Sequence, residues 1–526
     1  MRLRADITPP TAIVQAGEAR AYGTSLSTGG DIVGTDVRIR YEIEGAGTIE
    51  RIDTTNGWQC TIAGNTAECT KRTNPPFDAG GLLNVILRAG SDNGSAVRFI
   101  MAAAAGPANA PIATSIATSR LQFYLAAVVD TVADSGPGSL RAAIELANST
   151  PRPAKIVFRI PPPVPAGGWF TLIPASPLPP ITNERVFVDG KTQTQFLGDT
   201  NPLGPEIAID GRLAHDGLEI HSRCLARVDG LALGNFDGNE GLWFTRSGPC
   251  DTFDFFTDDR LVEGNYIGTD PTGTVAWPNR RGLRGDFGAG TIRNNVISGN
   301  TLSGMWIWAA YDEFSSFTIV DNRIGTAADG IKPLPNGAAG MLLGDRVAAD
   351  VLRNVIANHP GMGIALARGE TYVRIQQNSM RDNGGIGIDW GIDGTSPITD
   401  DSRRSSPNAP TLISARYDAG ANRTYFTARN TSQQPFGPDG AMVVFDFYAN
   451  RGPDGDGEEP INQPHLNYLD VNLVEASVPG DLRGKWINAT VTRVPVFGLR
   501  TPPVSSELVT FGDESTSEFS NAILVP

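Results

Sequence analysis

An all-β chain is predicted, a right-handed single-stranded parallel β-helix with a β-sandwich before it, and three observations predict it. A unit of Gly, apolar, variable and apolar residues recurs seven times: GLEIH at 217, GLWFT at 241, GLRGD at 282, GMWIW at 304, GMLLG at 340, GIALA at 363 and GIDWG at 387. Sixty Gly and 38 Pro punctuate short apolar runs, as in turn-rich β structure. The first hundred residues alternate apolar and polar in bursts such as DVRIRYEIEG and LLNVILRAG, the pattern of an antiparallel sandwich.

A chain of 526 residues is too long for one ordinary domain. Its net charge of −14, with a pI near 4.9, sets a repulsive field against polyanions, so nucleic acid is excluded as a partner and neutral ligands fit better. No run of about 18 apolar residues occurs, so no membrane span is expected. The opening MRLRADITPP lacks the apolar core of a signal peptide, so export information is expected to have been removed or never present.

Taken in order, residues 1–104 form the first sandwich. Its stretch NGWQCTIAGNTAECT resembles the Trp-x-Cys … Cys-Thr signature of small immunoglobulin-like modules repeated in bacterial surface and secreted proteins. Cys60 with Cys69, and Cys224 with Cys250, make two expected disulfides of an oxidising compartment, since no histidine neighbours them at zinc-ligand spacing. Residues 105–127, rich in Ala, Pro, Thr and Ser, are expected to be a linker.

The β-helix is expected over 128–407. In DSGPGSLRAAIELANST, Leu140, Ala143, Ile144 and Ala147 lie at i, i+3, i+4 and i+7, predicting one amphipathic helix as a lid over the open sheet. The repeat intervals are 24, 41, 22, 36, 23 and 24 residues, so a unit of about 23 explains four of the six. The long intervals carry matching inserts, NYIGTDPTGTVAWPN at 265 and NRIGTAADGIKPLPN at 322. Short strands, Asn-rich turns and a period in the low twenties fit about ten stacked coils. Leucine-rich repeats share the period, but their Leu-x-x-Leu-x-Leu pattern is absent.

The phrases DSGPGSLRAAIELAN, VDGLALGNFDGNEGLWF, EGNYIGTDPTGT and DNGGIGIDWGIDG resemble those of bacterial secreted right-handed parallel β-helix proteins. The tail, from APTLISARYDAG to STSEFSNAILVP, resembles the β-sandwich that commonly follows such a helix. The resemblance covers about 128–526 and implies a secreted or cell-surface location, with a C-terminal sandwich over 408–526. The β-helix is thus expected to be flanked by two β-sandwich domains.

In each unit the residue after Gly and the one two further on should face inward, and the third and fifth outward. The outward third column holds Glu219, Trp243, Arg284, Trp306, Leu342, Ala365 and Asp389; the fifth holds His221, Thr245, Asp286, Trp308, Gly344, Ala367 and Gly391. Aromatic and charged residues concentrate in the first four coils. Indole faces turned outward would suit the C–H face of a sugar ring, and Arg284 could pair with hydroxyls or a carboxylate. Substrate-binding candidates are therefore Glu219, His221, Trp243, Arg284, Trp306, Trp308 and Tyr311.

Glycoside hydrolysis needs two carboxyl groups, which neighbouring coils or loops can supply. Asp286 is the first choice, with Asp312, Glu313, Asp258 or Asp259 from the acid-bearing stretches AAYDEFSS and SGPCDTFDFFTDDR as partner. Asp389 and Asp393 of GIDWGIDG read as turn chemistry. The function expected is that of a glycoside hydrolase acting on a neutral or weakly charged polysaccharide, with no cofactor and no metal. A polysaccharide lyase is the alternative enzyme, with Arg284, His221 or Tyr311 as base and Ca²⁺ to neutralise a uronate. A non-catalytic surface adhesin or glycan-binding protein is the other reading. A homo-oligomer is also expected to be open to this chain, since trimers occur among β-helix proteins.

Overall fold

Two mainly antiparallel layers, three long parallel sheets and a further antiparallel pair of sheets follow one another along the chain in the computed structural model. It describes residues 2–8, 11–14, 17–29, 36–54, 57–72, 83–90, 97–106, 111, 113–222, 224–245, 260–286, 289–309, 315–367, 371–391, 408–431, 442–453, 455, 457–461, 465–468, 473–494 and 515–526. Two compact units are present: Met1–Ala126 with Thr150–Ala154, and Ala127–Ser149 with Lys155–Pro526.

In the first unit, a four-stranded and a six-stranded sheet share one core of Tyr22, Tyr41, Phe99 and Met101 among others. The strand Asp36–Glu44 buries Val37, Ile39, Tyr41 and Ile43 and exposes the polar residues between them, as its period of two requires. Cys60 and Cys69 stand directly opposite in the antiparallel pair Gln59–Ala63 and Thr66–Arg72 and are joined by a disulfide. Cys224 is not a free thiol; Cys250 lies outside the described residues.

The stretch expected to be a linker is partly strand. Ala113–Phe123 pairs antiparallel with Val97–Ala105 and parallel with Thr11–Val14. Its inward residues are small from Ala113 through Ser115 and Ala117 to Ser119, with Phe123 buried only at its end, while Ile116 is 69 % exposed. A strand with Ala and Ser facing in and Ile facing out carries no hydrophobic alternation of the usual sign.

In the second unit the chain visits three sheets in turn, one strand in each per coil, as in a β-helix. The nine-stranded sheet ends with Val347–Leu352 and Tyr372–Gln376, and the eight-stranded sheet runs from Phe170–Leu172 to Ser379–Arg381. The seven repeated units form the third sheet: Leu218–Ile220, Glu240–Phe244, Arg281–Gly285, Met305–Ile307, Met341–Leu343, Ile364–Leu366 and Ile388–Trp390. Every neighbouring pair in this platform sheet is parallel and in register.

Two ladders of side chains run through the turns. Asn265, Asn295, Asn322, Asn354 and Asn378 pass hydrogen bonds from coil to coil, the Oδ1 of each of the last four accepting the backbone N–H and the Nδ2–H of the preceding rung, and that of Asn265 the Leu231 N–H. A second ladder of Asn279, Asn300 and Asn336 continues into His359, whose Nδ1 accepts from the Asn336 backbone. Such ladders satisfy buried turn amides that face no strand partner. The two inserts start and end on ladder residues and fold as small hairpins, stacked on each other by a hydrogen bond from the Ala328 N–H to the Gly273 carbonyl.

The predicted helix spans Leu140–Asn148, capped by Ser139 Oγ accepting from the Ala142 N–H, and buries the four expected residues. A second short helix, Lys191–Leu197, has no apolar stripe to announce it. It is held through polar side chains: Thr192 Oγ1 accepts from the Phe158 N–H at 2.7 Å, and Gln193 makes two bonds to the Ile160 backbone.

After the last coil, the sheet of Thr411–Asp418, Arg423–Arg429 and Leu473–Pro479 packs with that of Met442–Asn450 and Trp486–Val494 around Phe426, Phe445 and Phe447. This tail closes the coil end. The Ile375 N–H donates to Thr516 Oγ1, the Trp390 N–H to Glu518 Oε1, the Trp390 indole to the Thr516 carbonyl, and the Gln377 N–H to buried Asp446.

Candidate functional site

Stacking in register makes each position of the repeat a column. Leu218, Leu242, Leu283, Met305, Met341, Ile364 and Ile388 form one inward column, each at most 1 % exposed. Glu219, Trp243, Arg284, Trp306, Leu342, Ala365 and Asp389 share the next. The structure therefore brings together Glu219, His221, Trp243, Arg284, Asp286, Trp306 and Trp308 on the early coils.

Arg284 lies between its two tryptophan neighbours, its guanidinium carbon 4.6 Å from the Trp243 ring centre and 4.9 Å from that of Trp306. Those distances equal one strand spacing on each side, so the indole faces point along the coil axis. This differs from the outward faces expected. An Arg in the intervening rung offers each ring a cation, which outweighs leaving an aromatic face in water.

Asp286 completes the ladder. Its Oδ2 accepts from Trp243 Nε1 at 2.8 Å and its Oδ1 from Arg284 Nε at 2.8 Å, leaving the residue 9 % exposed. Both carboxylate oxygens are thus engaged as acceptors within the ladder. At the near end, Glu219 Oε2 and His221 Nε2 lie 3.1 Å apart, and the His221 ring meets Trp243 edge-on at 6.3 Å.

Two further residues belong here that the outward-column argument passed over. Glu240, its side chain 1 % exposed, pairs with Arg281 at 3.1 Å and lies 3.9 Å from Arg284. Arg281 in turn covers Trp306 at 4.2 Å. Opposite charges at one register, preceding Gly in EGLWF and RGLRG, were the available signal. Glu240 Oε2 is buried with no hydrogen-bond partner among the described residues.

Trp308 behaves differently from Trp243 and Trp306. It is 42 % exposed and lies across Gly344 of the next coil, where a Cβ would collide with the indole. Gly344 thereby lets an aromatic side chain lie down on the sheet with its other side toward solvent. Tyr311, Asp312, Glu313, Asp258 and Asp259 lie outside the described residues. Asp389, read as turn chemistry, sits in the last platform strand and is fully buried there beside the Trp390 contacts to the tail; Asp393 lies outside the described residues.

No protein-family model matches this chain, and no curated protein matches it. No helix among the described residues is long and apolar enough to cross a membrane.

Proposed function

We propose that this is a secreted or cell-surface carbohydrate-recognising protein, a right-handed single-stranded parallel β-helix between an immunoglobulin-like module and a C-terminal β-sandwich. It binds a neutral or weakly charged polysaccharide along the early coils of the platform sheet. The observation that carries this reading is Trp308, a half-exposed indole laid on Gly344 of a rigid sheet. The local charge supports a neutral chain: Arg281 and Arg284 are matched by Glu240 and Asp286, which leaves no spare cation on these strands for a uronate. The sequence phrases shared with secreted β-helix proteins support the location.

Hydrolysis is the second reading, and one distance favours it. Glu240 and Asp286 flank the same guanidinium at 3.9 and 2.8 Å, so with the span of that group they are at most about 9 Å apart, a bound that admits either an inverting or a retaining pair. Binding ranks first because Glu240 is buried and Asp286 is engaged on both oxygens.

A panel of neutral and acidic glycans, incubated with wild type, Trp308→Ala and Asp286→Asn, separates the readings. Retention of a neutral glycan by wild type, lost in Trp308→Ala without new reducing ends, supports binding. Reducing ends that vanish in Asp286→Asn move hydrolysis to the front, and absorbance of unsaturated products would replace both with elimination. No retention of any glycan sinks the proposal.

A further inference from the structure

A cavity of about 570 Å³ opens at the beginning of the coil, away from the platform sheet, within the range that holds small ligands. Its walls are Asp130, Thr131 and Val132 at the end of the strand Leu125–Val129, the run from Ile160 to Pro165, and Trp169 to Thr171. Two features give it chemical character. Trp169 lies against Gly167, where a Cβ would come within 2.8 to 3.0 Å of three ring atoms, so the indole is seated rather than loose. The Asp130 carboxylate abuts Gly138, whose φ of +78° and lack of a side chain make room for it, and it has no hydrogen-bond or ion-pair partner among the described residues.

Pro161, Pro163 and Pro165 offer no N–H, and Ile160 and Val132 add only carbon to the wall. A polyhydroxylated ligand would lose its water here for few replacement hydrogen bonds, since only Asp130, Thr131, Trp169 and Thr171 carry polar side-chain groups in the wall. An anion would meet Asp130 in a chain of net charge −14. A cation whose charge is sheathed in methyl groups needs none of the missing donors. It would take the unpaired carboxylate as counter-ion, an indole face as cation–π partner and proline rings as apolar contact.

We infer that the cavity bounded by Trp169, Asp130 and the three prolines binds an alkylammonium ion of the quaternary, choline-like type. The site is independent of the glycan reading and uses none of its residues.

The test titrates the full-length chain with choline chloride and with its uncharged carbon isostere, 3,3-dimethylbutan-1-ol, at constant ionic strength, followed by calorimetry or saturation-transfer NMR. Choline should bind saturably, with the isostere about 10-fold weaker for want of charge. Asp130→Asn should abolish that preference, and Trp169→Ala should weaken choline by about 10-fold. Melting curves establish that each variant is folded; if Trp169→Ala is not, Trp169→Leu, which keeps bulk without an aromatic face, decides. Absence of saturable choline binding, an isostere that binds equally well, or folded variants that bind like wild type each overturn the inference.

Discussion

The early and late coils of the platform sheet are built on one repeat and one register, yet their outer columns serve opposite ends. In the early coils Trp243, Arg284 and Trp306 form a partly exposed ladder held by Glu240 and Asp286. In the late coils Leu342 gives way to Ala365 and Asp389, both fully buried, and the tail covers Trp390. The inward column from Leu218 to Ile388 scarcely differs between the two regions. The repeat thus specifies the scaffold, while the outer column is free to vary with what lies upon it, solvent in one place and the chain's own tail in the other.

The largest effect expected on this contrast comes from the covered end. Trp390, 4 % exposed, fills the last rung, and Trp390→Ala should cost about 3 to 5 kcal/mol in denaturant unfolding through the cavity it leaves. Glycan retention by the early coils should be unchanged in the folded variant. Loss of retention at full folding would show that the two regions are coupled.

Next is the pH dependence of the buried groups. Burial pushes the Asp446 carboxyl at the tail seam up to about 7, from its ordinary 3.8. The folded state then binds more protons than the unfolded state, so this group's stabilising contribution falls as pH rises from about 4 to 7, on the order of 4 kcal/mol in all. Burial pushes His359, in the asparagine ladder, down to about 4 from 6.5, so its contribution is lost as pH falls through that window. Relative to wild type, Asp446→Asn should therefore remove a loss on the alkaline side and His359→Asn a loss on the acid side. Unfolding curves collected from pH 4 to 8 measure both slopes, and equal slopes in all three proteins would refute the assignment.

A smaller effect is expected from the exposed ladder. Arg284→Ala removes two cation–π contacts and the cation beside Asp286, leaving that carboxylate with the Trp243 indole alone and Glu240 with Arg281, for a loss of about 2 to 3 kcal/mol. Leu342→Ala, in the same column two coils from Arg284, should cost about 1 kcal/mol, since its side chain is only partly buried. Similar losses by thermal melting would erase the distinction between the halves.

Smallest in stability, though not in binding, is Trp308→Ala. With 42 % of the residue in solvent, unfolding free energy should change by about 1 kcal/mol or less, while glycan affinity drops about 10-fold. Gly344→Ala, which lifts the indole off the sheet, should reproduce the affinity loss with Trp308 intact.

Much of this contrast was legible before any coordinates. The seven Gly units named the platform strands and their inward residues, because a period of two within each strand and one coil per repeat leave little choice. The companionship of Trp243, Arg284, Trp306 and Asp286 was legible for the same reason. The Ala113–Phe123 strand was not, since its small residues face in, and neither was the Lys191–Leu197 helix, held by Thr192 and Gln193 rather than by an apolar stripe. Glu240 escaped because the outward columns were counted from the residue after Gly, whereas it opens the strand Glu240–Phe244 one residue before Gly, in register with Arg281.

By itself, then, the sequence determined the scaffold: repeat length, register, the inward columns and the concentration of aromatic and charged residues in the early coils. These follow from interactions between each coil and the next, which a periodic sequence writes out in full. Only the tertiary structure decided that the indoles of Trp243 and Trp306 face Arg284 while Trp308 lies open on Gly344. Only it decided that Thr516 and Glu518, more than 120 residues away in sequence, would cover the last rung. Side-chain torsions and long-range docking depend on the shape and charge of whatever neighbour arrives, and no local period records them.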